Sequence, residues 1–163
     1  MFGRKKNKES LARLVERLNK LCYSLENSCN INNGGCGFVA YCISENLSKH
    51  NIKYDVIFHG YDINTKECHN DMLNNCCRTV SHISIKVGKY RINTGSYREE
   101  MKDKGTSIGH IPYLNIKEWY YEHLKQGRWN CSYDIKCNGT VHREINKIFK
   151  IYEKESGNLG NQM

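Results

Sequence analysis

The sequence lacks the features that mark several protein classes. It has a single Pro and 13 Gly among 163 residues, which excludes collagen-like repeats and Pro-rich disorder. No apolar run approaches the roughly 18 residues that a transmembrane helix needs. The first six residues include three basic ones, but a charged, amphipathic segment follows them, without a continuous apolar stretch or a small-residue cleavage site. We therefore expect no signal peptide, no membrane span and a cytoplasmic protein.

The composition is that of one globular domain. Apolar residues make up 39% and charged residues 26% of the chain, which are ordinary values for a folded protein. The length fits a single domain with one core. Within it, residues 1–29 are expected to form an N-terminal amphipathic helix, residues 30–155 to complete the fold, and residues 156–163 to be a disordered tail.

The net charge of +8 raises the question of nucleic-acid binding. The basic residues are scattered apart from two groups, which are Arg4, Lys5, Lys6 and Lys8, and then Lys86, Lys89 and Arg91. None of the familiar nucleic-acid-binding motifs is present. We therefore interpret the charge as a solvated surface and do not expect a nucleic-acid partner.

Hydrophobic periodicity predicts an α+β fold. Helices are predicted at 9–27, 36–49 and 113–126, with a last helix capped by Thr140. Strands are predicted at 52–58, 79–87 and 90–94, with polar connections at 28–35, 59–78 and 96–111. The result is an antiparallel sheet packed against an N-terminal helix pair, with additional C-terminal helices. Asn51 is the expected stop of the second helix.

The first candidate catalytic residue is Cys36. It follows Gly34 and Gly35 and would open the second helix. The backbone N–H groups and the positive end of the helix dipole stabilise a thiolate at that position. The neighbouring glycines leave room for a substrate carbonyl to approach. Cys36 is therefore a candidate nucleophile. Cys22 and Cys42, by contrast, lie on apolar helix faces and are expected in the core.

His82 and Asn93 are predicted to share one face of a β-hairpin. His82 alternates with apolar residues along its strand, and the dipeptide Gly88-Lys89 suits a two-residue turn. That turn pairs Ser84 with Asn93, which places Asn93 one diagonal step from His82, about 7–8 Å between backbones. An Asn there can orient the imidazole for proton exchange with a thiol, in a Cys–His–Asn triad.

A thiol nucleophile also needs donors for the oxyanion. The backbone N–H of Cys36 is one candidate. A side-chain amide from Asn30, Asn32 or Asn33 is the second, and the sequence does not choose among the three.

These residues carry a resemblance to a known family. The segments that carry it are residues 32–40, 47, 52–57, 81–85 and 91–95 (NNGGCGFVA, L, IKYDVI, SHISI and RINTG). The chain resembles the papain-like/transglutaminase-like cysteine superfamily, including small phage-encoded papain-fold proteins. The resemblance implies a papain-like fold over residues 30–155 and a thiol-dependent hydrolase or acyltransferase that needs no cofactor. Its substrate would be the amide of a protein or peptide, or an isopeptide.

The same resemblance implies a role for each residue of the triad. Cys36 would be the nucleophile, His82 the general base and acid, and Asn93 the orienting residue. The Gln that precedes the nucleophile in papain-type members is absent, and Asn30 is its candidate substitute. A phage origin would place the protein in the host cytoplasm.

Other readings remain open. The nine Cys residues are expected to be reduced thiols. Four potential zinc ligands, Cys68, His69, Cys76 and Cys77, form a rival site with unusual spacing, and Cys131, Cys137 and His142 form a looser cluster. The protein would then be a metal-binding or interaction module. A further alternative is a catalytically inactive papain fold that serves only for contacts, with nucleic acid as one partner that its basic surface could bind.

Overall fold

A computed structural model describes residues 2–31, 35–60, 80–95, 106–112 and 135–157. The elements are α1 (Phe2–Cys29), α2 (Cys36–Lys49), β1 (Asp55–Gly60), β2 (Val80–Val87), β3 (Tyr90–Asn93), β4 (Thr106–Pro112) and α3 (Asn138–Gly157), with a 3₁₀ turn at Ile135–Cys137. The α+β class is therefore confirmed. The predicted helix at 113–126 and residues 158–163 lie outside the described residues.

The strands form an antiparallel sheet in the order β3-β2-β1-β4. The β2–β3 hairpin has the predicted register, with Val87 opposite Tyr90 and Ser84 opposite Asn93. Gly88 adopts a φ of 59°, which a glycine reaches without the steric cost of a side chain. The predicted turn and its pairing are confirmed.

The fourth strand corrects one prediction. Residues 96–111 were expected to be irregular, but β4 pairs with β1 along most of its length. The segment contains a Gly, ends in a Pro and has only two Ile residues, so its local signal for a strand is weak. Pairing with a partner strand supplies the backbone hydrogen bonds that the local sequence does not predict.

The helices pack on the apolar face of the sheet. The core combines residues from all three helices and from β1–β3, among them Leu14, Leu18, Ile43, Leu47, Val56, Ile83, Ile85, Ile92, Val141, Ile145 and Phe149. Val39, Ile43 and Leu47 of α2 are buried, and so are Val141 and Phe149 of α3.

Several element boundaries differ from the predictions. Helix α1 begins at Phe2 rather than residue 9, because the Lys- and Arg-rich start favours a helix without adding an apolar stripe. It ends at Cys29, where Asn30 takes a φ of 54° and donates its N–H to the Glu26 carbonyl. The last helix begins at Asn138, ahead of the expected cap Thr140, and continues to Gly157, into the expected tail.

The end of α2 was predicted correctly. Asn51 has a φ of 54°, and its N–H donates to the Ser48 carbonyl at 3.0 Å, while the Ile52 N–H donates to the Leu47 carbonyl at 2.9 Å. This pair of bonds is a Schellman motif, which satisfies the last carbonyls of the helix. Asn is among the few residues that tolerate the left-handed conformation it requires.

Polar contacts fasten α3 to the other helices. Arg17 of α1 donates two hydrogen bonds to the Glu155 carboxylate, at 2.7 and 2.9 Å. Asn46 of α2 donates to the Asn146 side chain at 2.9 Å. These contacts hold α2, and therefore Cys36, within one packed unit. None of the helices in the described segments is both long and apolar enough to cross a membrane.

Candidate active site

Cys36 is the first residue of α2, as predicted. Gly35 occupies the N-cap position without a side-chain hydrogen bond, and its carbonyl accepts the Val39 N–H at 3.0 Å. The thiol therefore belongs to the first turn, where the helix dipole favours negative charge. Cys36 is also 1% exposed, so a substrate can reach it only if the covering residues move.

His82 and Asn93 share one face of the sheet, because the β2–β3 register places Asn93 opposite Ser84. Ser84 lies two residues after His82 and therefore on the same face. His82 is 6% exposed and Ser84 is fully buried. The shared face is confirmed, and the His82 ring on it is buried.

The alternating residues of β2 divide between the two faces of the sheet. Ile83, Ile85 and Val87 pack into the core with the helices, and His82 and Ser84 project from the opposite face. Helix α2, which begins with Cys36, packs against β2 on the face of Ile83 and Ile85. His82 therefore projects from the face of β2 that α2 does not cover.

His59 is a residue that the sequence reasoning missed. It lies opposite His82 in the β1–β2 register, and the two rings are 5.7 Å apart between centroids and tilted by 38°. A hydrogen bond of 2.8 Å joins its Nε2 to the Ser84 Oγ, and the residue is 5% exposed. The predicted strand ended at Phe58, which assigned His59 wrongly to a loop. Asp55, Ile57 and His59 follow the two-residue periodicity of a strand, and this pattern is the signal that could have extended the predicted strand to His59.

Burial keeps both histidines neutral at physiological pH. It lowers the pKa of His82 to about 3, with smaller contributions from His59 and Arg91. It lowers the pKa of His59 to about 4, with a further contribution from Arg91. Desolvation has this effect because it disfavours the charged imidazolium. A neutral imidazole is the form that accepts a proton.

Two further thiols lie on the apolar faces of α1 and α2. Cys22 and Cys42 are buried in the core, as predicted, and they are free thiols. Burial raises the pKa of each to about 12. Such thiols are inert at neutral pH, because the thiolate is the nucleophile.

The candidate oxyanion donors are only partly described. Asn30 is exposed and lies at the left-handed end of α1. Asn32 and Asn33 lie outside the described residues. The choice among the three therefore stays a prediction.

The rival zinc site also lies outside the described residues, since it comprises Cys68, His69, Cys76 and Cys77, and the same holds for Cys131. In the segments that the structure does describe, no group of three or more His, Cys, Asp or Glu side chains is arranged to hold a metal ion.

Comparison of the chain with protein-family models, curated proteins and solved structures found no match in any of the three. The functional argument therefore depends on the residues of this chain.

Proposed function

We propose that the chain is a thiol-dependent hydrolase or acyltransferase that acts on a peptide or isopeptide amide through Cys36, His82 and Asn93. The observation that carries the proposal is the hairpin register, which puts His82 and Asn93 on one face. The order of these residues, with Cys at a helix start followed by His and Asn on consecutive strands, resembles that of the papain-like/transglutaminase-like superfamily.

In this mechanism His82 acts as a general base on the Cys36 thiol. The sulfur attacks the amide carbonyl carbon while the thiol proton passes to the imidazole. The tetrahedral intermediate collapses when the imidazolium returns that proton to the leaving amine, and a thioester remains on Cys36. Water or a second amine then attacks the thioester carbon while His82 takes up its proton, the C–S bond breaks, and the imidazolium returns the proton to the Cys36 sulfur. Asn93 orients the ring throughout.

The proposal requires that the Cys36 thiol meets the His82 ring near the beginning of β2, where His82 is the third residue. It also places the protein in a reducing compartment such as the cytoplasm, or a host cytoplasm for a phage protein. A thiol nucleophile functions only in the reduced state.

Covalent labelling with a peptide-based electrophile that mimics an amide tests the proposal. Site-resolved mass spectrometry at pH 8 should find the probe on Cys36, with Cys29 as the internal comparison. His82→Gln should remove most of this selectivity, and Asn93→Ala should reduce it less, because water replaces part of an orienting contact. Lys89→Gln, at the exposed hairpin turn, is the control and should label like the parent protein. Equal labelling of Cys36 and Cys29 would disprove the assignment.

The burial of the site favours a second candidate function. Cys36 is 1% exposed and His82 is 6% exposed, which suits a fold that retains these residues for packing and works as an interaction protein. The two candidates differ in one outcome. If Cys36→Ala keeps full biological function and the charge-removing variant Lys86→Gln/Lys89→Gln/Arg91→Gln loses it, the protein acts by binding.

A further inference from the structure

His59 is a buried titratable residue that the proposed triad does not use. Its side chain is fixed from two directions, by the 2.8 Å hydrogen bond to the Ser84 Oγ and by the His82 ring at 5.7 Å. A buried polar ring without such contacts would lose its hydration with no compensation. The hydrogen bond therefore determines where the His59 ring lies.

Ser84 is at the centre of this polar face. It lies opposite Ile57 in β1 and opposite Asn93 in β3, and His82 precedes it by two residues on the same strand. The Ser84 hydroxyl thus anchors the His59 ring, which packs beside His82. Ser84 is also the cross-strand neighbour of Asn93. Ser84 has no exposed surface, so water does not compete for this contact.

We propose that His59, anchored by Ser84, is a positioning residue that fixes the His82 ring for proton transfer. This inference depends on the proposed function, in which His82 is the base. An imidazole has two side-chain torsions, and a base must hold its nitrogen within hydrogen-bond reach of the proton that it takes. His59 packs beside the His82 ring from β1, and the proposed function assigns Asn93 the orienting role from β3.

The inference predicts an effect on the order of the His82 ring as well as on reactivity. Histidine labelled with ¹⁵N reports the tautomer and the exchange of each ring by NMR. In the parent protein, His82 should show one tautomer and one set of ring signals. Ser84→Ala and His59→Ala should give broadened or doubled His82 signals. Each should also lower the labelling rate of Cys36 by about tenfold, since small misplacements of a catalytic group have effects of this size or larger.

Two further variants separate positioning from stability. His59→Phe keeps a ring beside His82 without the Ser84 hydrogen bond, and it should recover part of what His59→Ala loses. Ser44→Ala removes a buried hydroxyl from α2 and should leave the His82 signals and Cys36 labelling unchanged. If Ser84→Ala and His59→Ala lower only the melting temperature, with one His82 tautomer and an unchanged labelling rate, the inference is wrong. Failure of the proposed function is distinguishable, because the parent protein itself would then label Cys36 no faster than Cys29.

Discussion

The buried histidine pair should make the fold sensitive to acid. Both pKa values are lowered in the folded state, to about 3 for His82 and about 4 for His59, whereas an unfolded histidine has a pKa of about 6.5. Between these values the unfolded chain binds more protons than the folded one, so the free energy of unfolding falls as the pH falls. At pH 5 each histidine destabilises the fold by about 2 kcal/mol relative to pH 8, and the pair by about 4 kcal/mol.

Urea denaturation followed by circular dichroism at pH 8, 7, 6 and 5 measures this loss. The parent protein should lose about 4 kcal/mol more between pH 8 and pH 5 than the variant His59→Gln/His82→Gln. The variant can be less stable than the parent protein at pH 8 without affecting the test, because the compared quantity is the change in the free energy of unfolding between pH 8 and pH 5. His142→Gln is the matched control, since the His142 side chain is 45% exposed, and it should behave like the parent. Equal losses in the parent protein and the double variant would refute the reasoning.

Three further predictions follow from single sites. Gly88→Ala should destabilise the protein by about 1 kcal/mol in a thermal melt because of its positive φ, although nothing lies within 4 Å of the added methyl. Gly139 is equally unobstructed but lies in a helix, so Gly139→Ala should be neutral or stabilising. Asn19→Leu should lower the free energy of unfolding by about 1–2 kcal/mol in urea denaturation, because the Asn19 amide bridges two backbone groups on the edge of β3. Asn19→Asp keeps only the acceptor, so its free energy of unfolding should lie between those of the parent protein and Asn19→Leu. Labelling of Cys36 should rise steadily from pH 6 to pH 9, and a rate that is flat over this range would show a preformed ion pair with His82.

The hairpin and α2 were predictable because their signals are local. Gly88-Lys89 fixes the turn, and with two-residue periodicity the turn fixes every pair of the hairpin. The pair Gly35 and Asn51 brackets α2 in the same way. The sequence could not predict β4, because its pairing with β1 is a non-local interaction that the sparse apolar residues do not signal. His59 was missed for a related reason, since its place on a buried face depends on β1 extending two residues further than its apolar run.

The ionisation of the proposed site follows from the same burial. Burial lowers the pKa of His82 to about 3, because desolvation disfavours the imidazolium. In the proposed mechanism the proton therefore moves to His82 as the sulfur attacks. A base in such a site depends on its orientation rather than on its charge, which is why the residues that hold the His82 ring matter as much as the ring itself.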